Sequence, residues 1–106
     1  MGHESRNLRD AMVARFTRST LRDRVSVDFN TETSHWEIGF SRLSEDEFNA
    51  LFAVPFRLAP TTWELGDKSE SGHRAIRIRG LTGSQARDFA RAVAALFRIR
   101  TDSPFE

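Results

Sequence analysis

The 106-residue chain contains no cysteine and no tyrosine, only three prolines, and a single lysine, Lys68, among its sixteen Lys and Arg residues. Without cysteine there is no disulfide, no thiol nucleophile and no cysteine-ligated zinc or iron centre, and the redox compartment is left open. No apolar run approaches the roughly 18 residues of a membrane span, and the polar N-terminal stretch has no signal-peptide apolar segment. A cytoplasmic setting without membrane association is the resulting expectation. Charge of one sign is missing too: fifteen Asp and Glu leave a formal net charge of +1. No global field therefore draws the protein to nucleic acid or to an anionic membrane, and any electrostatic function has to be local. The near absence of lysine reads as a base-composition bias of the source genome, although arginine is also the better residue for bidentate contacts.

What is present is strongly patterned. A chain of this length buries roughly 65% of its unfolded surface and folds as one domain, 1–106, without a metal or disulfide. Residues 61–68 (TTWELGDK) and 73–80 (HRAIRIRG) alternate apolar and polar on either side of a Ser-Glu-Ser-Gly turn, which predicts a hairpin. Thr82 follows as a helix N-cap with Gln85 completing a capping box, and Ala86, Phe89, Val93, Leu96 and Phe97 recur at helical spacing. The same plan precedes it. Val25–Phe29 and His35–Phe40 alternate around a polar turn, Ser44 and Glu47 form a second capping box, and Phe48, Leu51 and Phe52 make an apolar helix face that Pro55 ends. A shift of 38 residues lays one unit on the other, matching Val27 to Leu65, His35 to His73, Ser44 to Thr82 and Glu47 to Gln85. Ahead of both, Leu8, Met12 and Phe16 form one stripe on a helix.

The expected architecture is α+β: an N-terminal helix (about 7–21) and two strand-strand-helix units (about 25–54 and 61–99). Together they form a four-stranded, mainly antiparallel sheet with helices on one face. The order of the hairpins is left open. Alternation places Val25, Val27, Phe29, Trp36, Ile38, Phe40, Trp63, Leu65, Ile76 and Ile78 towards the helices. Ser26, Asp28, His35, Glu37, Glu64, Arg77 and Arg79 fall on a second, wet face.

No nucleophile with its base, no carboxylate pair in an apolar setting and no phosphate loop is legible, so the reading leans away from an enzyme and leaves the question open. His35 and His73 hold equivalent places, but a catalytic zinc needs three protein ligands, and neither metal nor cofactor is expected. The turn Gly80-Leu-Thr-Gly-Ser84 is neither a Walker loop nor a dinucleotide fingerprint. It joins a strand to a helix, whereas the GXXG loop of KH RNA-binding domains joins two helices.

Three functional readings remain. The leading one is a small non-catalytic module for protein association, self-associating as a homodimer, in adaptor, chaperone-like or regulatory fashion. It rests on the most apolar run of the chain, with Phe48, Phe52, Val54, Phe56 and Leu58 as partner-binding residues, because so short a helix hides only one side. The order of elements resembles that of type III secretion chaperones, a likeness of arrangement and not of motif residues. The alternative is nucleic-acid binding through the arginine strand and helix arginines, with Arg15, Arg18, Arg22, Arg77, Arg79, Ser84 and Arg87 as the candidates. Cross-strand ion pairs to Asp28, Glu37 and Glu64 are the simpler account of Arg77 and Arg79. A third is an enzyme or binder of a small anion at the Gly80–Ser84 turn, where free helix amides could meet it.

Overall fold

A computed structural model of the chain describes residues 2–52, 62–66 and 70–98. The elements run α1 (Gly2–Arg15), β1 (Val25–Asn30), β2 (His35–Leu43), α2 (Glu45–Phe52), β3 (Thr62–Leu65), β4 (Arg74–Leu81) and α3 (Gly83–Leu96). This is the expected α+β order. The four strands form one antiparallel sheet in the order β1-β2-β4-β3, so the two hairpins meet through β2 and β4. The helices pack on the sheet, α1 against α3 and β1, and α3 against β2 and β4.

Alternation along the strands decides what the helices cover. Val27, Trp36, Ile38, Phe40, Ile76 and Ile78 are buried with Met12, Phe16, Phe89 and Val93, and Val25, Phe29 and Trp63 pack partly against them. Leu65 departs from this expectation. It ends an edge strand of four residues, where cover comes from few neighbours, and is 55% exposed. On the opposite face, expected to be wet, Glu37 is only 8% exposed.

The first helix also differs from its expected span of 7–21: it starts at Gly2 and stops at Arg15. Beyond Arg15 the chain winds more tightly, in i to i−3 turns, with the Phe16 amide donating to Val13, Ser19 to Phe16, Arg22 to Ser19 and Arg24 to Leu21. Thr17, Ser19 and Thr20 are weak helix formers. The tighter winding lets Phe16, Ser19 and Leu21 all be fully buried, which a continued α-helix could not do because residues 16, 19 and 21 do not share a face. Arg18 and Arg22 therefore lie in turns rather than on a helical ridge with Arg15.

Two irregularities join the central strands to the helices that follow them. Between the pairs Trp36↔Leu81 and Ile38↔Ile78, β4 carries one extra residue; between Phe40↔Ile76 and Leu43↔Arg74, β2 does. Gly80 (φ 82°) and Arg42 (φ 52°) are left-handed at these bulges, and Ser34 (φ 59°) and Gly72 (φ 86°) are left-handed at the two hairpin turns. Each bulge precedes a helix cap, at Ser44 and at Thr82, by two residues. A left-handed residue there turns the chain out of the sheet and over its face.

The two bulges should respond unequally to substitution. Gly80→Ala puts a Cβ on a left-handed residue and should lower the unfolding free energy by about 1–2 kcal/mol. Arg42→Gly relieves the same conflict against a comparable loss of chain entropy and should change stability by less than about 0.5 kcal/mol. Urea denaturation of the two variants measures both.

Candidate functional site

The short helix α2 buries only Leu51 completely, so its place is set mainly by polar contacts at its first turn. Ser44 Oγ accepts from the Glu47 amide at 3.1 Å, and the Ser44 amide donates to Glu47 Oε1 at 2.9 Å. This is the capping box expected from the sequence. The same carboxylate receives a two-pronged guanidinium: Arg24 Nη1 to Oε1 at 2.9 Å and Nη2 to Oε2 at 2.8 Å. Arg24 also donates to the Arg42 carbonyl at 2.7 Å and to the Thr20 carbonyl at 2.9 Å. One side chain thus ties the turn after α1, the β2 bulge and the start of α2. The Arg24 guanidinium, followed by the Ser44 amide, holds the Glu47 carboxyl below the usual carboxylate range against the opposing effect of burial. The bond to Glu47 raises Arg24 in turn.

From α2 a chain of aromatic rings leads inward. Phe48 meets Phe52 edge-on at 5.0 Å, Phe52 stacks on Trp63 at 5.1 Å, and Trp63 meets the buried Phe89 at 6.1 Å. The Arg74 guanidinium lies 5.0 Å from the centre of the Phe48 ring, a cation–π contact. Phe52 is 49% exposed at the outer end of this chain, and Leu65, on the same face of β3 as Trp63, is 55% exposed. Of the residues expected to bind a partner, Phe52 therefore stands at the surface, and Phe48 beside it is partly buried against the core. Val54, Phe56 and Leu58 lie outside the described residues.

The arginines expected to bind anions fall into separate places. Arg77 and Arg79 project from the outer face of the sheet. Arg77 contacts Glu37 at 3.2 Å and Asp28 at 3.8 Å, and Arg79 contacts Glu37 at 3.1 Å and Glu64 at 2.7 Å. Two guanidiniums among three carboxylates leave that face at net −1, which repels phosphate. The Asn30 amide, and after it Arg79 and Arg77, hold the Glu37 carboxyl below its usual range although burial opposes this. Glu64 and then Glu37 raise Arg79. Ser84 and Arg87 are exposed on α3, in the helical layer on the other side of the sheet. The turn between Gly80 and Ser84 has its Thr82 amide occupied by Gln85 Oε1, and the next amide of α3, Gln85 N–H, donates to Thr82 Oγ1. A Cβ on Gly83 would lie 3.3 Å from Leu8 Cδ2, so the turn is pressed against α1.

Arg15 and Arg18 are exposed, and Arg22 makes a loose 3.8 Å contact with Asp23. Arg15 and Arg18 share a concavity with Arg91 and Arg98, two residues that sequence reasoning passed over. The available signal was their spacing of four and eleven positions after Arg87, read on a helix whose neighbour was not known. His35 opens β2 and His73 immediately precedes the antiparallel β4. The two therefore lie at opposite ends of the sheet, about 25 Å apart by strand rise. Among the described residues no three His, Asp or Glu side chains converge as metal ligands, and no helix is long and apolar enough to cross a membrane. Comparison with protein-family models, with curated proteins and with solved structures found no match.

Arg24→Ala removes four charge-assisted bonds and should cost about 2–3 kcal/mol in urea unfolding. Acid should act on the same contacts. Glu37 and Glu47 are depressed in the folded state, so their contribution is complete above the unfolded glutamate value of about 4.3. It is lost as pH falls through the lower folded values. Unfolding free energy should hold from neutrality to about pH 5 and fall below it, with Glu37→Gln making the fall shallower.

Proposed function

We propose that the protein is a cytoplasmic, non-catalytic association module, adaptor, chaperone-like or regulatory in role, that pairs with a second copy of itself along β3. The observation that carries this reading is the contrast between the two sheet edges. At the β1 edge, α1 packs alongside and Arg9 Nε donates to the Val27 carbonyl at 2.9 Å, occupying a backbone group that another strand would need. At the β3 edge no described residue pairs with the outer side, and Phe52 and Leu65 stand half exposed beside it. An open edge supplies ladder bonds, and adjacent apolar side chains supply the area that a four-residue strand lacks.

We infer in addition that the two strand-strand-helix units are copies of one plan. Several observations support this. The left-handed residues pair at the same separation of thirty-eight positions, Ser34 with Gly72 and Arg42 with Gly80. Both units have a working capping box. The β2–β4 register maps onto itself under that shift: Trp36↔Leu81 becomes Leu43↔Arg74, and Ile38↔Ile78 becomes Phe40↔Ile76. That is the relation a two-fold axis between Gly39 and Arg77 produces.

Sedimentation equilibrium tests the association. The wild-type chain should form a reversible dimer in the micromolar range, while Leu65→Lys and Phe52→Asp should sediment as monomers with unchanged circular dichroism. A wild-type monomer at millimolar concentration, or dimers unaffected by both variants, would overturn it.

A further inference from the structure

The C-terminal ends of α1 and α3 lie side by side. Arg15 closes α1, Arg18 sits in the turn after it, Arg91 projects from α3 and Arg98 follows its end; the four line a concavity of about 350 Å³. Among the described residues no carboxylate lines it, and its floor is made by the short side chains of Ala14, Ala94 and Ala95. The frame is braced. Ser19 and Arg98 form an isolated antiparallel bridge, and the Thr20 amide donates to the Phe97 carbonyl at 2.9 Å. Arg18 and Arg98 are each at or beside a bridged residue, so the two sides of the concavity are held together by backbone.

These four cations differ from the other clustered arginines. Arg24, Arg77 and Arg79 each have carboxylate partners, whereas none of the four makes an ion pair or side-chain hydrogen bond among the described residues. Part of their presence is explained by the helix ends, which carry about half a negative charge each and attract cations. Two such ends offset about one unit of charge. Four guanidiniums therefore leave an excess of about three positive charges in a chain whose net charge is +1.

We propose that this concavity binds a small polyphosphate group, gripped by Arg15, Arg18, Arg91 and Arg98. Guanidinium forks match phosphate oxygens two at a time, and a residual charge of about three suits a di- or triphosphate better than a monoanion. The volume stands at the low end of small-molecule sites, which fits a compact polyanion rather than a tracked nucleic-acid strand. Among the described residues no aromatic side chain lines it, so a nucleobase gains no stacking surface there. Recognition ends at the phosphates, and inorganic triphosphate and ATP should bind alike.

Isothermal titration of the full chain with inorganic triphosphate, ATP, sulfate and a single-stranded oligonucleotide tests this. Triphosphate should bind saturably at one site, ATP within about threefold of it and competitively, and sulfate far more weakly. Arg91→Gln, a substitution on an exposed helix position, should weaken triphosphate about tenfold or more, as expected for loss of a charge-assisted contact. Arg77→Gln, on the sheet face, should leave it unchanged. Circular dichroism confirms that both variants are folded. The proposal is overturned by absence of saturable binding at millimolar triphosphate, or by equal losses in the two variants. It is also overturned by an oligonucleotide that binds more tightly than triphosphate and is not displaced by it, an outcome that would assign the cations to a nucleic-acid backbone.

Discussion

The pairing of Arg24 with Glu47 is the contact on which the arrangement of this small fold depends. A helix of eight residues with one fully buried side chain cannot hold itself against a sheet by apolar burial alone, since isolated helices of that length are marginal in water. Glu47 caps α2 through Ser44 and accepts both prongs of Arg24, whose remaining donors reach the carbonyls of Thr20 and Arg42. The left-handed Arg42 is thereby held by a bond to its own carbonyl, so the device that fixes α2 also stabilises the bulge that launches it. The exposed position of Phe52 follows from this geometry, because the clip sets which side of α2 turns towards Trp63.

Charge is distributed by the same economy across the rest of the molecule. With sixteen basic and fifteen acidic residues, most cations can find an anion, and on the outer face of the sheet Arg77 and Arg79 do. Glu37, nearly buried, lies between Arg77 and Arg79 and takes a further bond from Asn30 at 3.1 Å. A strand that spells Arg-Ala-Ile-Arg-Ile-Arg is thus basic in sequence and slightly acidic in its surroundings. Among the described residues, Arg15, Arg18, Arg91 and Arg98, which make no ion pair there, gather where α1 and α3 end. Basic sequence and basic surface are different properties here, and the neighbouring strands decide which one a given arginine has.

This explains what was legible beforehand and what was not. The hairpins, the capping boxes at Ser44 and Thr82 and the buried set on Trp36, Ile38, Phe40, Ile76 and Ile78 rest on local periodicity and local hydrogen bonds, which are written in consecutive residues. The end of α1 was not legible because Phe16, Ser19 and Leu21 are buried by tertiary partners at a spacing that no single helix has. Arg24, in a turn between elements, gave no periodic signal; its importance comes from Glu47, twenty-three residues away. The grouping of Arg91 and Arg98 with Arg15 and Arg18 likewise needed the packing of α1 on α3. Propensity reads the elements, but sites are made where elements meet.

The sheet order gives the last step. Because β2 and β4 occupy the centre, the two edges are β1 and β3, the first strands of each half. In an isolated pair of such halves both edges would be equally open. The additional element α1 breaks that equivalence, covering one edge through Arg9 and Val27 while its far end meets α3 at the arginine concavity. One helix therefore bears on two features at once: among the described residues nothing pairs with the outer side of β3, and Arg15, Arg18, Arg91 and Arg98 lie on the helical layer, away from the sheet face where Glu37 would compete for them. Association along β3 and anion binding at the helix ends would then use separate surfaces, and a ligand at one need not displace a partner at the other.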